Sequence, residues 1–184
     1  AAVEAAKAAG WTDIKCIEIA GVQGDATNTA RMEGYREGVN EAGGEFLDNE
    51  TQYANATADL AVTAMEGIMS KYPEGVAIIC SNNDDMALGA INALSNAGYN
   101  LAGGEGCTVI PVFGVDATEA AKELIANKQM TGSIKQDAEG MADAVATITA
   151  NLIAGKDKFE GLNENYEVVD GWTVNIPYSV YTGE

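Results

Sequence analysis

The sequence predicts an α/β protein built on a mostly parallel, open sheet with helices on both faces. Helical and strand-like stretches alternate along nearly all of its 184 residues. Runs such as 14–20 (IKCIEIA) and 75–80 (GVAIIC) are apolar on both sides, as strands covered on both faces are. The stretches between them are long enough for right-handed crossover helices.

Each element has its own local cause. Residues 1–9 (AAVEAAKAA) are strong helix formers and Gly10 supplies a stop. Residues 27–42 read as a helix with Met32, Tyr35 and Val39 on one stripe, ended by Gly43-Gly44. A short strand at 45–49 and a loop holding Tyr53 follow. The spacing of Leu60, Ala61, Ala64, Ile68 and Met69 predicts a helix over 57–70. Strand 75–80 leads through Ser81-Asn82-Asn83 into a helix over 84–97, stopped by Gly98. Residues 108–113 (TVIPVF) read as a strand that Pro111 marks as an edge or a bulge. Asp116 precedes a helix at 117–127, and a short strand covers 131–135. A long helix over 138–153 and extended segments at 165–169 and 172–178 complete the chain.

Charge excludes several partners. Against 10 Lys and Arg stand 28 Asp and Glu, a net −18 with no basic patch. Such a surface repels nucleic acid, anionic membranes and polyphosphates. With no His, the imidazole-based nucleophile activation and zinc sites are absent. Cys16, Cys80 and Cys107 are too dispersed for a clustered metal site, and the first two read as buried thiols. Gly103-Gly104-Glu105-Gly106 follows a helix and lacks the Lys-Ser/Thr pair of a phosphate loop. No cofactor and no metal are expected.

In open parallel sheets ligands lie beyond the carboxyl ends of the strands. The residues just after each predicted strand bring Arg31, Tyr53, Asn83, Asp116 and Gln136 to one rim. A guanidinium fork, an aromatic ring, two amides and a carboxylate suit a small polyhydroxylated molecule. Each residue also has a structural alternative. Arg31 reads as a first-turn surface arginine, facing the positive end of the helix dipole. Asn83 and Asp116 read equally as helix caps, although Asn82 or Ser81 offers the same capping chemistry as Asn83. Tyr53 and Gln136 read as ordinary surface residues.

The chain also resembles the type I sugar-binding proteins, the extracytoplasmic receptors of ABC sugar importers, in their ribose and galactose/glucose group. The resemblance is carried by Gly21-Val-Gln-Gly24 through Thr29-Ala30-Arg31, Asn83-Asp84-x-Met86-Ala87, Val112-Phe113-Gly114-Val115-Asp116, Gly132-Ser-Ile-Lys-Gln136-Asp137 and Val174-Asn-Ile-Pro177-Tyr178. It implies a C-terminal-lobe fragment lacking the N-terminal lobe, one lobe of the two-lobed fold plus C-terminal elements that belong to the missing one. On that reading residues 1–136 are the lobe. Residues 137–173 are a crossover helix and strand normally packed on the absent lobe, and 174–184 a hinge and return segment. The opening AAVEAAKAAG, with no initiator Met, fits the same expectation. The stranded elements are expected to redock, or to form a homodimer or domain swap.

The resemblance further implies non-catalytic recognition of a monosaccharide in an interlobe cleft, for delivery to the membrane permease of an ABC importer. The expected location is extracytoplasmic, in the periplasm or lipid-anchored at the cell surface. Arg31, Asn83 and Asp116 match sugar hydrogen-bonding positions, Tyr53 the ring-stacking position and Gln136 the hinge-side amide. Asp25 and Thr27 stand where galactose/glucose binders carry His and Asp, and that subgroup's calcium loop is missing. Two rivals remain at this stage: the effector-binding domain of a sugar-responsive transcription regulator, and an enzyme supported only by the polar rim.

Overall fold

The structure, a computed structural model, describes residues 1–183. The chain divides into two units, one of residues 1–134 joined by the last residues from 181 onward, the other of residues 135–180.

The first unit follows the alternating pattern of the sequence. Its elements are α1 (Ala2–Ala8), β1 (Lys15–Ala20), α2 (Ala26–Glu41), β2 (Glu45–Phe46), a 3₁₀ turn (Asp48–Glu50), β3 (Gln52–Tyr53), α3 (Ala58–Lys71), β4 (Ile78–Ser81), α4 (Asp84–Asn96), β5 (Val112–Val115), α5 (Glu119–Ala126) and β6, which begins at Gly132. The strands lie in the order β2-β1-β4-β5-β6 and every pair is parallel. β3 pairs with the far end of β1, Tyr53 opposite Ala20. From β1 the chain goes outward to β2 and β3, then returns to the other side as β4. The winding therefore reverses between β1 and β4, the switch point where open α/β sheets leave a crevice.

Alternation along the strands builds two apolar layers. Cys16, Ile78 and Cys80 join Val3, Ala6, Val39 and Phe46 on the face covered by α1 and α2. Ile17, Ile19 and Ile79 join Met65, Ile68, Met86, Ile91 and Leu94 on the face covered by α3 and α4. Burying a side chain of that size contributes about 1.5–3 kcal/mol. α3 and α4 meet closely because Gly89 has no side chain: a Cβ there would run into the Ala58 carbonyl and lie 2.9 Å from the Ala61 Cβ. Gly89→Ala is expected to cost about 2 kcal/mol and lower Tm by roughly 6 °C. A thermal melt within 1 °C of the parent, on the same scale, would show that the two helices can separate freely.

Several local expectations change. Pro111 marks neither an edge nor a bulge, because β5 starts one residue later and lies between β4 and β6. The Pro111 carbonyl accepts from Ile79 N at 2.9 Å, so the ring sits where only an acceptor is needed. The strand expected over 45–49 stops at Phe46, and the chain turns into the 3₁₀ turn.

In the second unit, α6 (Ala138–Ala154) starts at Asp137, whose side chain accepts from Gly140 N. It ends at Gly155, whose φ of 68° closes the last turn. β7 (Glu167–Val169) and β8 (Thr173–Asn175) form an antiparallel hairpin. Trp172 is 85% exposed rather than packed, with Lys158 Nζ 3.8 Å from its ring centroid. β9 (Ser179–Tyr181) leads back to the first unit, where the Tyr181 carbonyl lies over Gly132.

Candidate functional site

The carboxyl ends of β1, β4 and β5 carry the polar residues of interest. After β1, Gly24 takes a φ of 82° and Asp25 caps α2, its side chain accepting from Asn28 N at 2.9 Å. α2 therefore begins at Ala26, and Arg31 is its sixth residue. Arg31 lies in the second turn, not the first, beyond the reach of the unfavourable dipole end. Its Nη1 donates to the Asn82 carbonyl, bridging the loops after β1 and β4 across the switch point.

Asn83 is itself the cap of α4: its Oδ1 accepts from Met86 N at 2.9 Å, and neither Ser81 nor Asn82 takes that role. Its Nδ2 donates to the Ala56 carbonyl at 3.4 Å. Arg31 and Asn83 both line a cleft of about 130 Å³, with Gly21, Asp25, Thr27 and Asn28 on its β1 side.

Asp116 does not cap α5. Thr118 does, its Oγ1 accepting from Ala121 N, and Asp116 stands two residues before that cap. The backbone there is strained, with φ of 117° at Asp116 and 52° at Ala117. A buried network holds it. Asp84, 3% exposed, accepts from Ser133 Oγ at 2.6 Å and from Thr118 N at 2.7 Å. Ser133 Oγ accepts from Ala117 N at 3.0 Å, and Asp116 N donates to the Ile134 carbonyl at 2.8 Å. Burial pushes the Asp84 carboxyl above its ordinary range; the bonds from Ser133 and Thr118 pull it back, and the Asp116 charge adds to the rise.

Tyr53 ends β3 rather than lying in a loop, and it is 41% exposed at the same end of the sheet. The loop after it contains a second strained pair, Asn55 and Ala56, with φ of 47° and 60°. Thus the structure gathers Arg31 and Asn83 into one cleft and sets Tyr53 at the end of β3, beside β1, and Asp116 just past the end of β5, beside β4. Gln136 belongs to the second unit, where it is half-buried and its carbonyl accepts from Ala138 N.

Beneath the rim lies support that sequence reasoning missed. Asn28 is buried and its Oδ1 accepts from Gly21 N at 2.5 Å and from Asn82 Nδ2. Gly21 permits that approach, since a Cβ there would lie 3.1 Å from the same oxygen. Tyr35 donates its hydroxyl to the Ser81 carbonyl at 2.9 Å, and burial pushes that hydroxyl well above its ordinary value. The available signal was polarity at i−3 from Arg31 for Asn28 and a strand-end position for Asn82. Asp84, at the start of α4, is the acceptor that fixes the 116–118 turn. Among the described residues no three Cys, Asp or Glu side chains come together as a metal site, and no helix is long and apolar enough to cross a membrane.

A switch-point crevice edged by a guanidinium, amides and a carboxylate stands where open α/β sheets take their ligands. Residues 1–157 match the periplasmic binding protein domain family, and the chain belongs to that family. The family is one of non-catalytic periplasmic solute receptors, in accord with the extracytoplasmic location expected above. The D-galactose/methyl-galactoside binding periplasmic protein MglB of Haemophilus influenzae is 35% identical over 111 residues, 60% of this chain and 30% of that protein. The HTH-type transcriptional regulator CelR of Thermobifida fusca is 29% identical over 138 residues, 75% of this chain and 38% of that protein. An ABC transporter periplasmic solute binding protein of Actinobacillus succinogenes, solved with bound D-allose, shares the fold at a TM-score of 0.77 and 22% identity, over 99% of this chain and 56% of that one. The chain thus spans well under two thirds of the length of these proteins.

The single-lobe description is corrected by these likenesses. The family match runs unbroken through residue 157, with α6 included. The shared fold takes in 99% of the chain, α6 and the β7–β8 hairpin included. The chain carries an α/β periplasmic-binding-protein fold along its whole described length, not one lobe with trailing elements that belong elsewhere. The expectation of trailing elements that belong to a missing lobe falls with that description. So does the ground for expecting redocking, a homodimer or a domain swap.

Proposed function

We propose that this chain recognises a monosaccharide without chemical turnover and serves delivery of that sugar to the membrane permease of an ABC importer. Arg31, Asn83 and Asp116 are the hydrogen-bonding contacts of this reading, Tyr53 the surface that covers the C–H face of the ring, and Gln136 a further amide contact. The observation that carries it is the strained turn at Asp116. A non-glycine residue with φ of 117° at the end of a central strand, braced by the buried Asp84–Ser133 pair, is strained backbone of the kind that clusters at ligand sites.

Thermal-shift screening against pentoses, hexoses and inositols tests the reading. One class is expected to raise Tm, and Asp116→Ala to weaken its binding about 100-fold, as loss of hydrogen bonds to a charged group does. A chain that responds to no sugar, or an Asp116→Ala variant that binds as the parent does, overturns it. A second reading, the effector domain of a sugar-responsive regulator, is favoured by the likeness to CelR. The coding sequence upstream of Ala1 separates the two: a helix-turn-helix head for the regulator, an export or lipoprotein segment for the receptor.

A further inference from the structure

Glu18 sits in the middle of β1 with no exposed surface. No hydrogen-bond donor reaches either of its carboxylate oxygens, and Thr51 Oγ1 and Asn82 Oδ1 are likewise buried without partners. Thr51 and Asn82 are the polar side chains that act on Glu18. Four orphaned polar atoms in one buried place require a common explanation.

The orientation of the amides supplies it. A backbone N–H can only donate, and Gly21 N donates to Asn28 Oδ1 at 2.5 Å, which fixes the Asn28 amide. Asn82 must then offer its NH₂ to that same oxygen, as it does. Its own oxygen is left for Glu18. The opposite orientation of Asn82 would serve an ionised Glu18 but would set its oxygen against Asn28 Oδ1, two acceptors with no hydrogen between them. With Asn82 turned toward Asn28, the same conflict falls between Asn82 Oδ1 and Glu18 unless a proton lies there.

We propose that Glu18 is a protonated positioning acid that donates its O–H to Asn82 Oδ1 and accepts from Thr51 Oγ1. One buried proton then holds the Gly21–Asn28–Asn82 chain and, through the Asn82 carbonyl that receives Arg31, the guanidinium at the rim. Loss of the proton turns the Asn82 amide toward the carboxylate and releases Asn28.

Burial acts in the same direction, pushing the Glu18 carboxyl up to about 7; it outweighs the lowering by the Asn82 side chain, by Arg36 on α2 and by Thr51, and Asp48 in the 3₁₀ turn adds to the rise. The other titratable groups facing Glu18 are Cys16 on its own strand, Tyr35 on α2 and Cys80 on β4; the hydrogen bond to Cys80 together with burial holds the Cys16 thiol above its ordinary value, and burial does the same for the Tyr35 hydroxyl. Glu18 is therefore the member of the cluster that changes charge near neutrality. The consequence for ligand binding rests on Arg31 being a sugar contact; the proton itself does not, and is measured without sugar.

In uniformly ¹³C,¹⁵N-labelled protein, the Glu18 Cδ resonance is expected to titrate with a midpoint near 7. The Asn82 side-chain amide and Arg31 guanidinium signals should move with the same midpoint. Glu18→Gln, which keeps a donor for Asn82 Oδ1, is expected to hold those two signals at their low-pH positions throughout. A Glu18 midpoint in the ordinary carboxylate range in the parent protein overturns the proposal even if the variant fails to fold. So do Asn82 and Arg31 signals that ignore the titration.

Discussion

Asp84→Ala is expected to lose roughly 3 kcal/mol of unfolding free energy, since hydrogen bonds to a charged group each contribute about 1.5–3 kcal/mol and two are removed. Asp84 is buried at the first position of α4, where it accepts from Ser133 on β6 and from the backbone of Thr118 at the start of α5. Alanine leaves the buried Ser133 hydroxyl and the Thr118 amide without that acceptor. Ser133 in turn holds Ala117 N, so the strained turn at 116–117 loses its brace as well. The variant should therefore fail in sugar binding as well as in stability. Asp84→Asn supplies one acceptor in place of two and sets its NH₂ against a donor, so it should recover less than half of the loss. Urea denaturation followed by circular dichroism measures the difference. An alanine variant within 0.5 kcal/mol of the parent, the usual range for a surface substitution, would mean that the network does not hold the turn.

The second large effect is a dependence of stability on pH that one residue controls. In the unfolded chain Glu18 ionises near the ordinary 4.5; in the folded protein burial raises the value to about 7. Between those two values the folded state keeps a proton that the unfolded state gives up. Stability is full below 4.5, falls as pH rises through the window, and levels off above 7. The decrease is about 1.4 kcal/mol per pH unit and about 3 kcal/mol in all. Asp84, also raised by burial, adds a decrease of the same sign beginning at lower pH. Urea midpoints measured from pH 4 to 8 (the window that linkage names) should show the decline in the parent and a much shallower one in Glu18→Gln. Parallel curves for the two proteins would show that Glu18 ionises as easily folded as unfolded.

These effects were unevenly legible in the sequence. Glu18 was visible as an acid within an apolar strand, yet alternation placed it on a face without saying what lies opposite. Its neighbours Tyr35, Thr51, Cys80 and Asn82 come from three other stretches of the chain. Asp84 was visible as a carboxylate at a helix start, where dipole and capping already give it a reason to exist. Its partners Ser133 and Thr118 lie 49 and 34 residues away. Capping itself was ambiguous for a physical reason: adjacent Asn, Asp, Ser and Thr residues share the same chemistry, and one residue of difference in helix start decides which of them is used. That difference moved Arg31 out of the first turn and gave the α5 cap to Thr118 in place of Asp116.

The sequence by itself determined the α/β class, the chain order of strands and helices, and the placement of Arg31, Tyr53, Asn83 and Asp116 after strand ends. These follow from residue periodicity and from Gly and capping signals, which act over a few residues. Tertiary structure alone decided that β5 is central despite Pro111, that the winding reverses between β1 and β4, and that Asp84 and Asn28 brace the rim from below. Those outcomes depend on hydrogen bonds between residues distant in the chain, and no local pattern encodes the partner of a buried polar group.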